Sequence, residues 1–349
     1  MDSLAMKDGI GDQIHLVSIQ DGLEPLEDRK NLERHAESVL LLMPKKFEEL
    51  IEKNNSSDTE KITCVIADHN LGWAMDIAAE KEIRRAAFSC AAATHLVLRS
   101  SLRKLIDDRI IDSHGAPTKK QMFQSSPTMP AMNTAYLGWA CIDHKKIQIM
   151  FFENMVRSDR SIKLTDWVLC NSTYDFEPAA FIFDPKITPI SPLLASNRHG
   201  DSVGSFWQED LTCLKWLDQQ RPQSVIYIAF GSTSILDQTQ FHELAMGLEL
   251  SNRPFLWVVR PNITIDMNDA FPVGFLDRVA TRGRIVSWAP QQKVLEHPSI
   301  ACFMSHCGWN STMEGLSNGI PFLGWPYFAD QFHNENFIWN VWRVGLGFN

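Results

Sequence analysis

Between Ser224 and Leu323 the chain alternates short apolar runs with longer amphipathic stretches, and that rhythm leaves few folds open. The runs are Ser224–Phe230 (SVIYIAF), Phe255–Arg260 (FLWVVR), Arg284–Ser287, Ala301–Ser305 (ACFMS) and Pro321–Leu323, with helical connections such as Gln238–Leu250 between them. Near-continuous apolar strands are buried on both faces, and the helices between them provide the crossovers that parallel pairing requires. The expectation is an α/β fold with a parallel sheet covered on both sides.

The first half shows the same alternation less cleanly. Ile14–Ile19 (IHLVSI) reads as a short buried strand, Arg29–Lys53 as a long amphipathic helix and Asn54–Lys61 as a polar loop. Ile62–Ala67 (ITCVIA) is a strand that ends directly in Asp68 and then enters a helical stretch, Gly72–Glu82. Ligands of open α/β sheets collect beyond the carboxyl ends of the strands, so Asp68 is a candidate site residue; alternatively it caps the segment that follows. Arg84–Ser89 reads as a strand leading into an Ala91–Lys104 helix, and Trp167–Asn171 as another strand. Asp107–Met132, with Pro117, Pro127 and Pro130 and little periodicity, reads as a surface excursion of the kind that shapes a variable substrate pocket.

From Pro185 to Gln223 the composition shifts to Pro189, Pro192 and the polar run ASNRHGDSVGS, followed by an amphipathic piece at Leu211–Leu217. That marks an interdomain linker, and 349 residues suffice for two domains with separate cores. The expected division is an N-terminal domain over 1–190, a linker over 191–223 and a C-terminal domain over 224–349.

Composition excludes several partners. The formal charge of −9 argues against nucleic acid, which needs a basic surface. No apolar run approaches the roughly 20 residues of a membrane span, and the start MDSLAMKDGIGDQ lacks a signal-peptide layout. The seven cysteines are scattered and never form Cys-x-x-Cys, which fits a reducing, cytoplasmic setting. No G-x-G-x-x-G follows a strand, and the P-loop and G-x-S-x-G patterns are missing, against dehydrogenase, ATPase and α/β-hydrolase readings. Cys302-x3-His306-Cys307 flanks a strand end and suits a tetrahedral metal poorly. With no D-x-D, a cation held on a nucleotide-sugar diphosphate by paired carboxylates is not indicated.

The densest stretch runs from Trp288 to Gln331, WAPQQKVLEHPSIACFMSHCGWNSTMEGLSNGIPFLGWPYFADQ. A strand ending at Ser305 delivers His306-Cys307-Gly308, and a helix begins at Trp309. Free backbone N–H groups and the positive end of the helix dipole then meet at a strand's carboxyl edge, a ready site for a diphosphate. Gly308 allows close approach, while His306, Asn310 and Ser311 add side-chain donors. Glu314, one turn further in, would accept from ribose hydroxyls; alternatively Ser311-x-x-Glu314 is a capping box. Trp288 can stack on a flat base, and Asp330 with Gln331 offers acceptors and donors suited to adjacent sugar hydroxyls.

Nearly position for position, this stretch resembles the signature box of the plant family 1 UDP-dependent glycosyltransferases, and Phe230-Gly231-Ser232, FLWVVRP and CLKWLDQQ are similar to that family too. The resemblance implies the GT-B fold: two Rossmann-like domains with parallel sheets facing across a cleft, the acceptor bound mainly by the N-terminal one and the UDP-sugar by the C-terminal one. It implies that Trp288 stacks on uracil, that the Ala289 backbone pairs with its edge, and that Gln291 and Glu314 hold the ribose. His306, Asn310, Ser311 and Ser232 would bind the phosphates, with the Trp309 backbone, Asp330 and Gln331 on the sugar. A glutamine at the last position is associated with glucose. The reaction implied is inverting, metal-independent transfer of a hexose from a UDP-sugar co-substrate to a hydroxyl of a small plant metabolite, with no cofactor.

In the family, a histidine after the first strand is the base and an aspartate at a later strand end orients it. Asp68 matches that aspartate; neither His15 nor His69 occupies the histidine's loop. The first strands and the C-terminal helices of the family pattern are therefore expected to be absent from this chain. An alternative reading follows, a UDP-binding remnant or an incomplete gene model lacking the catalytic histidine.

Overall fold

In the computed structural model of the chain, which describes residues 17–23, 31–56, 61–127, 129–142, 144–190, 192–194, 207–261, 263–264 and 270–348, the apolar runs become parallel strands. The chain divides into two compact units, Ile10–Leu193 and Leu194–Asn349.

The first unit holds β1 (Cys64–Asp68), β2 (Arg84–Ser89), a small antiparallel hairpin of β3 (Met122–Phe123) and β4 (Met132–Asn133), β5 (Trp167–Cys170) and β6 (Ile187–Pro189). Its main sheet is parallel, in the order β1-β2-β5-β6, with Asp68 level with Phe88 and Ser89 level with Cys170. Val65, Ala87 and Val168 of the sheet pack on Ala74, Met75 and Ala78 of the Gly72–Glu80 helix. That helix opens on a glycine for a packing reason: a Cβ at Gly72 would lie 2.6 Å from Cα of Ser158, and the Gly72 N–H donates to Ser158 Oγ at 3.2 Å.

Ser158 belongs to the 19-residue helix Lys145–Lys163, whose buried face carries Ser158 and Ser161 beside Ile147, Phe152 and Ile162. The expected Arg29–Lys53 helix extends from Leu32 to Asn55, with one π-helical turn at Ser38–Leu42. Asn31 caps its start by accepting from Glu33 and Arg34 N–H, and Pro44, lacking an N–H, follows the widened turn. Ala91–Lys104 is not one helix but two, Ala93–Ser100 and Leu102–Asp107, broken at Ser101, whose hydroxyl donates back to the Val97 carbonyl. Of the strand expected at Ile14–Ile19, residues 14–16, including His15, lie outside the described residues, and 17–20 form no strand.

The second unit holds β7 (Val225–Ala229), β8 (Phe255–Val258), β9 (Gly283–Val286), β10 (Ile300–Ser305), β11 (Phe322–Gly324) and β12 (Gly345–Gly347), all parallel, in the order β12-β11-β10-β7-β8-β9. Alternation sorts β7 between two cores: Val225, Tyr227 and Ala229 meet Phe303 and Phe322 on one face, and Ile228 and Phe230 meet Phe241 and Trp257 on the other. Cys213 and Leu217 of the Thr212–Leu217 helix are fully buried in the first of these cores, so part of the segment read as linker is an element of this unit. Residues 195–206 of that segment lie outside the described residues. Among the described residues no helix is long and apolar enough to cross a membrane.

Strand order fixes where a ligand can sit. From β7 the chain builds outward through β8 and β9, then returns to lay β10 along the other side of β7. The connections diverge between β7 and β10, which is the switch point where open sheets leave a crevice at the strands' carboxyl ends.

Candidate functional site

Two loops leave that switch point. After β7, Gly231 turns at φ +68°; after β10, Cys307 turns at φ +63° and Gly308 opens the Trp309–Ser317 helix as its N-cap, with no side chain capping it. The His306 ring lies against both glycines. A Cβ at Gly231 would come within 2.7 Å of His306 Nε2, and one at Gly308 within 2.6 Å, so any larger residue at either position displaces the imidazole. Burial pushes His306 down to about 4; nearby Arg260 adds to that and the Ala229 carbonyl opposes it. The ring is therefore neutral near pH 7, a hydrogen-bonding group rather than a charge, and its buried Nδ1 has no hydrogen-bond partner among the described residues.

The uncapped helix start leaves its first N–H groups available to an anion. Asn310 is exposed there, whereas the Trp309 side chain is buried against Trp342, leaving its backbone as the group that faces the loop. The helix begins two residues before Ser311, so Ser311-x-x-Glu314 is not a capping box. Both side chains instead meet Gln291, whose Nε2 donates to Ser311 Oγ at 3.0 Å and to Glu314 at 2.5 Å, while its Oε1 accepts from Tyr227 OH at 3.1 Å. Burial raises the Glu314 pKa, opposed by the donors of Gln291 and Gln292.

On the far side, Asn334 is fully buried and donates to both the Cys307 carbonyl and Asp330 Oδ2, each at 2.9 Å. Burial raises the Asp330 pKa and Asn334 opposes the rise. Gln331 uses its Oε1 to accept from Tyr327 and Phe328 N–H at 2.8 and 3.0 Å, which leaves its amide NH2 as the end to offer a ligand. Ser232 is exposed on the β7 loop, held from behind by Arg260, whose guanidinium donates to the Gly231 carbonyl at 3.1 Å and to the Ser234 carbonyl.

Trp288 is half-buried, stacked at 6.2 Å and 30° on Trp207, and its carbonyl accepts from Asp210 N–H at 2.9 Å. Ala289, beside it, is buried.

Hydrogen bonds thus join Gln291, Ser311 and Glu314 in one group and Asp330 to the Cys307 loop in another. Tyr227, Arg260 and Asn334 were not singled out from sequence. Only the spacing of Asn334, four residues after Asp330 on one helix face, was a signal for it.

Asp68 belongs to the first unit. It ends β1 half-buried, accepting from Asn70 N–H at 2.8 Å and from the Cys90 thiol at 3.2 Å. His69 beside it is buried and pushed well below its ordinary pKa by burial, with Arg99 and His95 adding to the shift and the Phe88 carbonyl opposing it.

Residues 196–346 match the family described as UDP-glucoronosyl and UDP-glucosyl transferase. The chain is 49% identical over 347 residues to UDP-glycosyltransferase 83A1 of Arabidopsis thaliana, spanning 98% of this chain and 72% of that protein. Among solved structures, it resembles a UDP-glucosyltransferase from Polygonum tinctorium, capable of glucosylating indoxyl and complexed with 3,4-dichloroaniline. That match has a TM-score of 0.77 at 28% identity, over 93% of this chain and 71% of the other. A glycosyltransferase of Phytolacca americana, complexed with UDP-2-fluoro-glucose and pterostilbene, matches with a TM-score of 0.72 at 28% identity, over 90% and 68%.

Proposed function

The chain belongs to the family of plant UDP-glycosyltransferases, with the α/β, GT-B class of fold, and on that premise we propose that it transfers glucose from UDP-glucose to a hydroxyl of a small plant metabolite. The observation that carries this reading is the uncapped helix start at the β7–β10 switch point, with a neutral imidazole seated against two glycines. A diphosphate placed there meets backbone N–H groups and the donors of His306, Asn310, Ser311 and Ser232, with no metal needed to hold it.

The base would lie on Trp288, with the Ala289 backbone at its edge, and the ribose hydroxyls on Glu314 and Gln291. The sugar would meet the Trp309 backbone, Asp330 as acceptor and the Gln331 NH2 as donor. In transfer, the acceptor hydroxyl oxygen attacks the anomeric carbon from the face opposite UDP, its proton leaves to solvent, the bond from that carbon to the phosphate oxygen breaks with its electron pair going to UDP, and the configuration inverts. The charge that develops on the departing diphosphate lies at the helix N-terminus, which stabilises it. Asp68 would take the part of the acid that orients a histidine base, a base that neither His15 nor His69 supplies. A cytoplasmic setting is consistent with seven reduced thiols and no disulfide.

Calorimetric titration with UDP tests the donor site first. Glu314→Ala is expected to weaken binding by tenfold or more, since hydrogen bonds to charged groups are worth about 1.5–3 kcal/mol, and Trp288→Ala by a comparable factor. Incubation with UDP-glucose and a panel of phenolic and terpenoid alcohols, read by mass spectrometry, tests transfer. No UDP binding, or UDP binding with no glycoside from any acceptor, overturns the reading.

A further inference from the structure

The carboxyl ends of β1 and β2 bring together three side chains that the donor site leaves aside. Asp68 ends β1, His69 follows it, and Cys90 follows β2; the strands are neighbours in parallel register. One ligand atom from each, a carboxylate oxygen, an imidazole nitrogen and a sulfur, lies within 4.8 Å of the other two. Cys90 Sγ is 3.2 Å from Asp68 Oδ2, and His69 Nδ1 is 3.7 Å from Asp68 Oδ1. His69 is 3% exposed, and its buried Nδ1, 3.7 Å from Asp68 Oδ1, has no hydrogen-bond partner among the described residues. An orphaned buried nitrogen costs stability unless something meets it.

We infer that Asp68, His69 and Cys90 form a binding site for a thiophilic divalent cation, with zinc as the best-fitting ion. Bonds of about 2.0–2.3 Å in tetrahedral geometry place ligand atoms roughly 3.3–3.8 Å apart, a modest contraction for a cluster whose ligand atoms already lie within 4.8 Å of one another. Mixed oxygen, nitrogen and sulfur ligation suits zinc and disfavours magnesium or calcium, which take oxygen. Three protein ligands leave the fourth position to water.

Binding replaces the proton that Cys90 now shares with Asp68. The S–H bond breaks, its electron pair forms the S–Zn bond, and the proton leaves to solvent. The guanidinium of Arg99, bonded to Asn70 Oδ1 at 2.6 Å, is the nearby charge that opposes a cation. Carboxylate and thiolate together cancel the dication, so the completed cluster adds no net charge beside it. Where Asp68 serves as the orienting acid proposed above, occupancy takes its carboxylate out of that role; the binding itself does not depend on that reading.

The reduced full chain is titrated with zinc against a chromophoric chelator, and with cobalt(II), whose thiolate complexes absorb in the near ultraviolet. Expected are one equivalent of zinc, about one proton released per zinc, and a thiolate-to-cobalt band. Cys90→Ser should abolish the band and weaken zinc at least tenfold, since loss of even an outer partner of a metal ligand typically costs 10–100-fold. Cys64→Ser, on the exposed part of β1, should change neither. Because His69 is buried, His69→Ala is read only where its circular dichroism matches the parent, and it should weaken zinc to the same degree. Absence of the cobalt band in the parent chain, or equal zinc affinity in Cys90→Ser, overturns the site without bearing on UDP binding.

Discussion

One buried polar network in each unit serves a different end. In the first, the fully buried carboxylate of Glu177 accepts from Ala93 and Thr94 N–H at 2.9 and 2.8 Å and from the Thr94 and Ser172 hydroxyls at 2.7 and 2.5 Å. Those bonds satisfy the start of the Ala93–Ser100 helix and are used up within the protein. In the second unit, Gln291, Asn334 and Arg260 each bond inward with part of their capacity while the groups they hold stay at the loop surface. Saturated polar burial makes a scaffold; partly saturated polar burial makes a preorganised site.

Glu177→Ala puts the greatest strain on this contrast. It leaves two N–H groups and two hydroxyls without their acceptor, and removing one side of such a network costs about 3–5 kcal/mol. The first unit should lose that much in urea unfolding while UDP affinity stays within twofold. A proportional loss of UDP binding would erase the distinction between the units.

Acidification sharpens the contrast next. Burial holds His306 at about 4, below the roughly 6.5 of an unfolded histidine, so the unfolded chain binds the extra proton first as pH falls. The stability tied to the neutral ring is present above pH 6.5 and is lost progressively down to about 4, a few kcal/mol at about 1.4 per pKa unit. Glu335, raised to about 7 by burial, acts in the opposite sense over much of this range. The measurement is therefore the difference between the parent chain and His306→Gln. The variant should gain relative to the parent as pH drops from 6.5 to 4, and a difference that does not change with pH would mean that the ring is not held neutral by its surroundings.

The smallest effect concerns Trp207, stacked on Trp288. An aromatic pair contributes about 0.5–1.5 kcal/mol beyond its area, so Trp207→Ala should weaken UDP roughly two- to tenfold without changing the affinity for inorganic diphosphate. Equal losses for both ligands would place the effect on the loop rather than on the base platform.

Much of the architecture was legible because apolar runs and strands coincide: Arg84–Ser89 has the same bounds in both, and β7 and β10 differ by a residue at their ends. The Lys145–Lys163 helix was not: Ile147, Phe151, Met155 and Val156 keep helical spacing, but at the contact with Gly72 the buried face passes to Ser158 and Ser161, which interrupts the pattern. Within the site, residue types at the helix start could be read from sequence. Arg260 and Asn334 could not, since each acts on a backbone carbonyl, and which carbonyl lies within reach is decided by the fold. Ser311 and Glu314 show the converse error, a familiar local pattern overridden when the helix starts earlier than the pattern requires.

The grip of Arg260 on the β7 loop also sets the direction of that loop's peptide planes. In a trans peptide the carbonyl of one residue and the N–H of the next point opposite ways, and the described backbone contains no cis bond. Drawing the Gly231 carbonyl toward the guanidinium turns the Ser232 amide away from it, and the Ser234 carbonyl does the same for Ile235. The loop therefore shows its outer side as hydrogen, not oxygen, and a peptide flip that would make it attractive to cations is blocked from beneath.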